Sequence, residues 1–573
     1  MIAGSTAGHG LPQRAAPMQT PTPTTPPAIA RSWPSAAWRS PAWWPALAGL
    51  LLGLLALGPA LGRGFVLSYD MVFVPAPPFS SALLGLSGGP ARPVPSDAVV
   101  AVAALLIPAE LLQKLILLAI FVLACSGAAA LLSDCWRARR GERPPPLACL
   151  ATGVFYCWNP YLAERLVMGQ WALLLGYAGL PWVLRLLCAG PVRVRRARLA
   201  VALLPAAVGG FGGMVITGLA AAPAALAQGG HGERARRLGV VAAGCVLLSL
   251  PWIIPSLIEP VQADPSGASL FAARADTPFG SLGSLLLLSG IWNAQAVPVG
   301  YGGVSSLCWL LVVAAAAAGY LLRARSMRLC PGLGAAGLIG LAVAALGVTA
   351  PGRAMLANLI SAWAGFAVLR DGQQYVAALA LAEAIGLGAA VAWALRDARI
   401  AAAPVLGALA LLAPVLLLPG MAWGSTGRLH AARYPADWMT ARQLIDSDSR
   451  PGTVLLLPWA QYRRYPWNGG EAVFDPWSRL LSRDVIYNDA LTVGRATVGQ
   501  ESAASIRLNG VIGRPGPLTA NLRAAGVRYV LVDAGPLLRQ PRADLVAAAR
   551  LPGARIVLAS RDLVVLQLLG GRS

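Results

Sequence analysis

Long apolar runs separated by short clusters of arginine are the feature of this sequence that most limits its fold. The first run, residues 44–62, is long enough to cross a bilayer as a helix, which rises about 1.5 Å per residue. Of the 573 residues, 57% are hydrophobic and only 12% are charged, a composition typical of membrane proteins rather than soluble ones. The sequence therefore predicts a polytopic α-helical membrane protein.

The arginine clusters indicate which loops lie in the cytoplasm. They fall between apolar runs, as the positive-inside rule expects, so the net charge of +22 does not require a nucleic-acid partner. Alternating inner and outer loops give about eleven spans over residues 43–420 of a plasma-membrane protein, with the N-terminus inside and the C-terminus outside. This count treats the run 199–227 as two short or re-entrant half-helices, because glycines interrupt its middle. Residues 1–42, rich in Pro, Thr and Ala, predict a disordered cytoplasmic leader.

The composition changes after the last apolar run. Residues 421–573 alternate short apolar strands with amphipathic segments, which predicts a compact extracytoplasmic α/β domain. This domain lacks the glycine-rich motifs of nucleotide-binding domains and the GxSxG motif of hydrolases. The predicted strands cover 453–457, 484–487, 527–533, 555–559 and 563–569, and the predicted helices cover 517–525 and 542–550.

Cysteine and histidine are placed too sparsely to predict a metal site or a cofactor. The eight cysteines lie in or beside apolar runs without a CxxC motif, and the three histidines are scattered. The outer domain contains no cysteine, so it must fold without disulfides.

Asp70 is the acid that follows the first predicted span. It lies in the first outer loop, residues 63–110, at the boundary between membrane and water. A carboxylate in this position can act as a general base toward a substrate that is itself anchored in lipid. The alternative is that Asp70 is an ordinary solvated loop acid. Further along the same loop, Ser96 and Asp97 are expected to cap a short apolar helix over 98–106 that lies on the membrane.

The other outer loops supply charges of both signs. Arginine suits a lipid phosphate and aspartate suits a hydroxyl, so the loops hold what a site for these groups needs. The alternative is that neighbours pair as solvated loop charges, Glu164 with Arg165 and Arg370 with Asp371. The candidate binding residues are Asp97, Glu164, Arg165, Asp276, Arg370, Asp371 and Gln374.

Two further features have both a structural and a functional interpretation. Glu383 lies inside an apolar run, so it should face protein or water rather than lipid. The aromatic segment 462–477 can stack on sugars, or it can form the core of the outer domain.

Three segments carry a resemblance to a known family: 159–166 (NPYLAERL), 169–173 (GQWAL) and 369–375 (LRDGQQY). With the acid after span one and the outer C-terminal domain, they resemble the GT-C superfamily of integral membrane glycosyltransferases. More narrowly, they resemble the actinobacterial arabinofuranosyltransferase-like proteins of cell-wall assembly. The resemblance covers roughly residues 40–420.

The resemblance implies a polyprenyl-phosphate sugar donor that enters from the membrane lipid and a glycan or glycolipid acceptor that approaches from outside. In this interpretation Asp70 deprotonates the acceptor hydroxyl, Arg370 holds the donor phosphate, and no metal is required. Two other functions remain open at this point. A transporter of lipid-linked glycan predicts an internal repeat and a polar path through the spans. A non-catalytic scaffold of cell-envelope assembly predicts that Asp70 lies far from any cavity.

Overall fold

The computed structural model describes residues 4, 5, 8, 43–89, 91, 93–188, 196–227, 229–259, 261–397, 399–494, 496–533 and 550–569. Most of the predicted leader and most of the predicted helix 542–550 lie outside these residues. Residues 41–573 form one compact unit, and the predicted boundary at 420 between its two parts stays a prediction.

Helices fill the first part of the chain. They are α1 (Trp43–Leu57), α2 (Ser96–Ala103), α3 (Ala109–Arg140), α4 (Pro146–Cys157), α5 (Pro160–Val167), α6 (Trp171–Cys188), α7 (Arg196–Val208), α8 (Gly210–Leu226), α9 (His231–Ile258), α10 (Gly267–Leu270), α11 (Gly280–Leu286), α12 (Val304–Gly319), α13 (Cys330–Leu346), α14 (Ala350–Ala362), α15 (Ala377–Ala394) and α16 (Ala403–Leu417).

Among the described residues, six helices are long and apolar enough to cross a membrane. The number rises to eight if each of two bent pairs, α13 with α14 and α16 with the segment after it, is one span. These helices confirm a multi-pass membrane protein, whereas the count of about eleven spans stays a prediction. The six are Trp43–Leu61, Ala109–Arg140, Trp171–Cys188, His231–Ile258, Val304–Ala324 and Gly372–Ala394.

The glycine-rich run 199–227 forms two helices, as predicted from its sequence. The break between α7 and α8 lies at Gly210, whose φ of +61° is a left-handed conformation that favours glycine. A Cβ at this position would lie 2.8 Å from the carbonyl oxygen of Val94, so the break also lets the first outer loop approach closely.

The helix of the first outer loop begins earlier than expected. Ser96 and Asp97 are the first residues of α2 rather than its cap, and Pro95 occupies the capping position. The prediction was wrong because the Asp97 side chain is drawn to a distant arginine, Arg479. Leu105 and Leu106, between α2 and α3, are exposed. That this helix lies on the membrane surface stays a prediction.

Residues 421–573, which are predicted to be extracytoplasmic and are called the outer domain here, are built on a mixed five-stranded sheet. The strand order is β10-β11-β9-β3-β6, in which β3 runs parallel to β6 and β9 while β11 runs antiparallel to both of its neighbours. All five strands were predicted from their apolar residues, and two of them have the predicted bounds. They are β3 (Thr453–Leu457), β6 (Val485–Ile486), β9 (Val527–Asp533), β10 (Ala554–Ala559) and β11 (Leu563–Leu568).

Shorter elements surround this sheet. The predicted helix 517–525 is present as α21. The remaining elements are α17 (Ala422–Gly427), α18 (Ala436–Asp446), α19 (Trp477–Leu480), α20 (Ala503–Ile512), α21 (Thr519–Ala524), β4 (Tyr462–Arg464), β5 (Ala472–Phe474), β7 (Leu491–Val493) and β8 (Ala496–Val498).

The outer domain holds the first outer loop along its length. Strand β1 (Phe65–Val66) pairs antiparallel with β2 (Ala431–Ala432). Beyond β1, Asn468 donates a hydrogen bond to the carbonyl oxygen of Leu67 at 3.1 Å, and Tyr434 donates one to that of Phe73 at 2.9 Å. These contacts place the loop that carries Asp70 between the helices and the outer domain.

The aromatic segment 462–477 is part of the core of the outer domain. Trp477 is fully buried and stacks on Trp438 with ring centroids 4.3 Å apart. Asn468 and Asp475 are also fully buried. The sugar-stacking interpretation is therefore wrong for these residues, because their side chains are enclosed by protein.

Candidate functional site

Asp70 lies at the tip of a tight turn. Ser68 and Met71 exchange backbone hydrogen bonds of 3.3 and 2.8 Å across it, and Tyr69 has a left-handed φ of +43°. The amide of Asp70 donates to the carbonyl oxygen of Met168 at 3.1 Å, just after α5 ends. The turn is thus held by its own two backbone hydrogen bonds and by the one to Met168. The Asp70 side chain is half-buried.

Gly169 lets this turn pack against α5. Its φ is +73°, and a Cβ there would lie 2.2 Å from both the amide nitrogen of Met71 and the carbonyl oxygen of Ser68. Only glycine tolerates both the left-handed conformation and this close backbone approach. The GQWAL segment therefore begins with a residue that shapes the Asp70 turn.

The outer domain reaches Asp70 through the hairpin β4–β5. Tyr69 donates a backbone hydrogen bond to Ala472 at 2.7 Å, and Phe474 donates one to Tyr69 at 2.8 Å, so β5 adds a strand to the turn. From β4, the hydroxyl of Tyr462 donates to Oδ1 of Asp70 at 2.5 Å. A side chain 392 residues away in sequence thus contacts the candidate base.

Asp97 joins this part of the site through Arg479. Nε of Arg479 donates to Oδ2 of Asp97 at 2.5 Å, and the guanidinium lies 5.3 Å from the ring centre of Phe474. Burial raises the pKa of Asp97, and the charge of Arg479 opposes that rise. Arg479 also lies within the electrostatic reach of Asp70, so the two acids share one cation.

Arg165, which is fully buried, forms a second network. Its guanidinium makes a bidentate pair with Asp371, at 2.6 and 2.9 Å, and donates to the amide oxygens of Gln170 and Gln373. Asn159 orients the helix that carries it, because its side chain accepts a hydrogen bond from the Leu162 amide at 3.0 Å as the cap of α5. The segments NPYLAERL and LRDGQQY are thus joined side chain to side chain.

Glu164 and Asp276 are buried acids beside this network. Glu164 accepts a hydrogen bond from Gln373 at 3.2 Å, and Asp276 accepts one from the amide of Gly290 at 2.9 Å. Burial raises the pKa of Glu164 well above its usual value, and the Asp276 carboxylate raises it further. Burial also raises the pKa of Asp276.

Arg370 occupies a third position. Its guanidinium pairs with Glu501 of the outer domain at 2.9 Å and lies 4.7 Å from the ring centre of Phe271. The contacts that connect it with the Asp70 turn pass from Phe271 to Trp292, whose ring centroids are 4.9 Å apart, and then to Met168 in a shared apolar cluster.

The alternative, in which sequence neighbours pair with each other as solvated loop charges, is wrong. Arg165 pairs with Asp371 and Arg370 pairs with Glu501, so each arginine takes a partner distant in sequence. Adjacent residues point in different directions from a helical turn, which is why sequence proximity misleads here. None of these four groups is a solvated loop charge, because the side chains are 20% exposed or less.

Gln374 and Glu383 lie at the start and middle of the same span. The Gln374 side chain donates to the carbonyl oxygen of Val368 at 3.1 Å. The backbone carbonyl oxygen of Gln374 accepts a hydrogen bond from the Tyr161 hydroxyl at 3.0 Å. Glu383 is 5% exposed, which confirms that it faces protein rather than lipid. No ion pair between Glu383 and an arginine is found within the described part of the chain.

The structure therefore brings the predicted site residues into three groups. Asp70 and Asp97 contact side chains of the outer domain. Arg165 pairs with Asp371 and shares Gln373 as a partner with Glu164. Arg370 forms a separate pair with Glu501. Sequence reasoning missed Tyr462 and Arg479. Tyr462 lies in the aromatic segment 462–477, but that segment did not indicate Asp70 as its partner. Arg479 lies just beyond the segment. No group of metal-ligating side chains is found among the residues that the structure describes.

The architecture is a GT-C fold, in agreement with the resemblance that the sequence carries. It is similar to that of the mycobacterial arabinofuranosyltransferase AftD, seen by cryo-electron microscopy in two classes of a point mutant. The first class has a TM-score of 0.58 at 18% identity, over 94% of this chain and 42% of AftD. The second has a TM-score of 0.54 at 17% identity, over 92% of this chain and 41% of AftD.

This chain thus spans about two fifths of the length of AftD. An oligosaccharyltransferase from Archaeoglobus fulgidus has a TM-score of only 0.38 at 12% identity, over 86% of this chain and 68% of that protein. No protein-family model matches the sequence, and no curated protein is significantly similar to it.

Proposed function

We propose that this protein transfers a sugar from a polyprenyl-phosphate donor to a cell-wall glycan or glycolipid outside the plasma membrane. The GT-C fold supports glycosyl transfer within a membrane, and the similarity to an arabinofuranosyltransferase supports a cell-wall acceptor. The observation that carries the proposal is the Asp70 turn, which holds a carboxylate where the first outer loop meets the outer domain.

Asp70 is the proposed general base. It accepts the proton of the acceptor hydroxyl, the hydroxyl oxygen attacks the anomeric carbon, and the bond from that carbon to the phosphate oxygen breaks. The phosphate leaves with the bonding electrons, so one displacement inverts the anomeric carbon. The step needs a cation for the leaving phosphate but no redox partner.

Arg370 is the proposed cation for the donor phosphate. Its guanidinium is already held by Glu501 and packed on Phe271, so the phosphate would share or replace the carboxylate. Asp97 is proposed to contact the substrate near Asp70, since the charge of its partner Arg479 also interacts with that of Asp70.

Arg165, Asp371, Glu164, Asp276 and Gln374 are proposed to support the site rather than touch the sugar. Arg165 is fully buried, and its donors are directed at protein oxygens. These contacts hold the segment 371–374 against α5. Met168, which directly follows α5, accepts the hydrogen bond from the Asp70 amide.

An open surface hollow of about 260 Å³ is the proposed entry point for a charged lipid from the membrane. It lies where α1 ends and α3 begins, and its lining mixes apolar residues with Arg63, Glu110 and Lys114. Arg63 comes just before β1 on the same outer loop as Asp70. Apolar walls with basic groups suit a lipid that carries a phosphate.

Three short helices, α4, α7 and α8, support the proposed count of about eleven spans. Each is apolar but shorter than a full crossing needs. Together with the arginine-rich inner loops, they fit a topology in which the N-terminus is cytoplasmic and the outer domain is extracytoplasmic.

The test is transfer of radiolabelled sugar from a polyprenyl-phosphate donor in membranes that contain the full chain. Asp70→Asn should lower the rate about 10²- to 10⁴-fold, which is the usual contribution of a general base. The matched control is Asp562→Asn, in the turn between β10 and β11, which should keep the wild-type rate.

Wild-type transfer by Asp70→Asn would remove Asp70 from the mechanism. Absence of transfer by the wild-type chain with any polyprenyl-phosphate sugar would overturn the proposed activity and favour the scaffold role.

A further inference from the structure

We infer that the outer domain completes the active site, with Tyr462 as a positioning residue that holds the Asp70 carboxylate for proton transfer. This inference rests on the proposed function and deepens it. It assigns the outer domain a part in the chemical step, in addition to any contact with the acceptor.

The first argument is the position of the phenol. Its hydroxyl donates to Oδ1 of Asp70 at 2.5 Å, a distance typical of a hydrogen bond to a carboxylate. The ring of Tyr462 lies between two others, with centroids 6.2 Å from Tyr69 and 5.9 Å from Phe474. Both neighbours restrict the direction in which the hydroxyl points.

The second argument is that the backbone positions both partners. In the β4–β5 hairpin Tyr462 lies opposite Phe474, and Val473 lies beside Tyr69 in the Asp70 turn. The two hydrogen bonds between the turn and β5 therefore fix Tyr462 relative to the residue that precedes Asp70. Neither side chain can shift far without breaking backbone pairing.

The third argument is that the hairpin is anchored in the outer domain. Arg463, next to Tyr462, is buried and pairs with Asp475 and with Asp533 of β9. It also donates to the carbonyl oxygens of Leu457 and Pro458, at 2.9 Å each. The central sheet of the outer domain thus supports the hairpin that reaches Asp70.

Tyr462 acts through Asp70 in a simple way. A hydrogen bond to one carboxylate oxygen favours the ionised form and limits rotation of the group, so the base stays directed at the acceptor hydroxyl. Misplacement of a catalytic group by about 1 Å can cost about 100-fold in rate. Loss of the phenol hydroxyl should therefore lower the rate of the chemical step without weakening donor binding.

The experiment compares Tyr462→Phe with Tyr434→Phe in membranes that contain the full chain. Both changes remove one hydroxyl from the contact between the outer domain and the first outer loop, but Tyr434 donates to the carbonyl oxygen of Phe73 rather than to Asp70. Tyr462→Phe should lower kcat roughly 10- to 100-fold with the donor KM within about twofold of wild type. Tyr434→Phe should leave kcat within about twofold.

Each other outcome decides against the inference. A wild-type kcat for Tyr462→Phe, in membranes where Asp70→Asn abolishes transfer, overturns it and leaves the proposed function standing. Equal losses in the two tyrosine variants, or a loss that falls on the donor KM alone, assign Tyr462 a structural or binding role. Wild-type transfer by Asp70→Asn overturns the base assignment itself, and the inference with it.

Discussion

Two clusters of charged side chains in this protein differ in where their partners come from. In one cluster the fully buried Arg165 pairs with Asp371 across 206 residues. The Asp70 cluster is half-buried, and its contacts join the first outer loop to the outer domain across 382 and 392 residues. The Arg165 cluster has the features of a structural element, whereas Asp70 lies partly exposed at the junction of two parts of the molecule.

The largest expected effect tests the structural cluster. Arg165→Ala leaves Asp371 and Gln373 without their shared donor, and breaking a buried ion pair costs about 3–5 kcal/mol. The apparent melting temperature of the purified protein should fall steeply. Arg399→Ala is the control, since that arginine is 88% exposed and should leave the melting temperature unchanged. An unchanged melting temperature for Arg165→Ala would show that the cluster is not structural.

The next effect tests the Asp70 turn. Gly169→Ala places a Cβ 2.2 Å from two backbone atoms of the turn, so the turn must move. Sugar transfer should fall about 100-fold, as for a base displaced by about 1 Å. Gly88→Ala is a matched control, because Gly88 has a similar φ of +76° but open space around it. Equal activity of the two variants would mean that the position of the turn does not matter for catalysis.

The smallest effect concerns pH and the outer domain that supports the hairpin. Burial raises the pKa of Asp533 to about 7, although Arg463 opposes the rise. Since this carboxyl binds its proton more tightly in the folded state, its contribution to stability is complete below pH 4 and is lost as the pH rises to 7. The melting temperature should therefore fall between pH 4 and 7 more in the wild type than in Asp533→Asn. Parallel pH curves would contradict this.

Local patterns in the sequence were enough to predict much of the fold. The strands Thr453–Leu457 and Val527–Asp533 were predicted with their observed bounds, because each contains a run of four apolar residues, as buried strands do. The helix break at Gly210 was predicted from glycine content. These features depend only on neighbouring residues.

The site was predicted less well for a physical reason. Arg165 and Asp371 were both recognised, but their pairing with each other was not, because it depends on how α5 packs against a loop some 200 residues later. Tyr462 lies in the aromatic segment 462–477, but nothing in that segment indicated its partner. Its role arises from a backbone pairing between Tyr69 and β5, and one sequence carries no record of which distant strands meet.

The pairing of β1 with β2 has a consequence for biosynthesis. The loop that carries Asp70 is synthesised early, whereas β2, β4 and β5, which contact it, follow α16 in the chain. Until the hairpin β4–β5 has been made and folded, Asp70 has no phenol beside it and its turn has no neighbouring strand. Under the proposed mechanism, a nascent chain without this hairpin would therefore lack sugar-transfer activity.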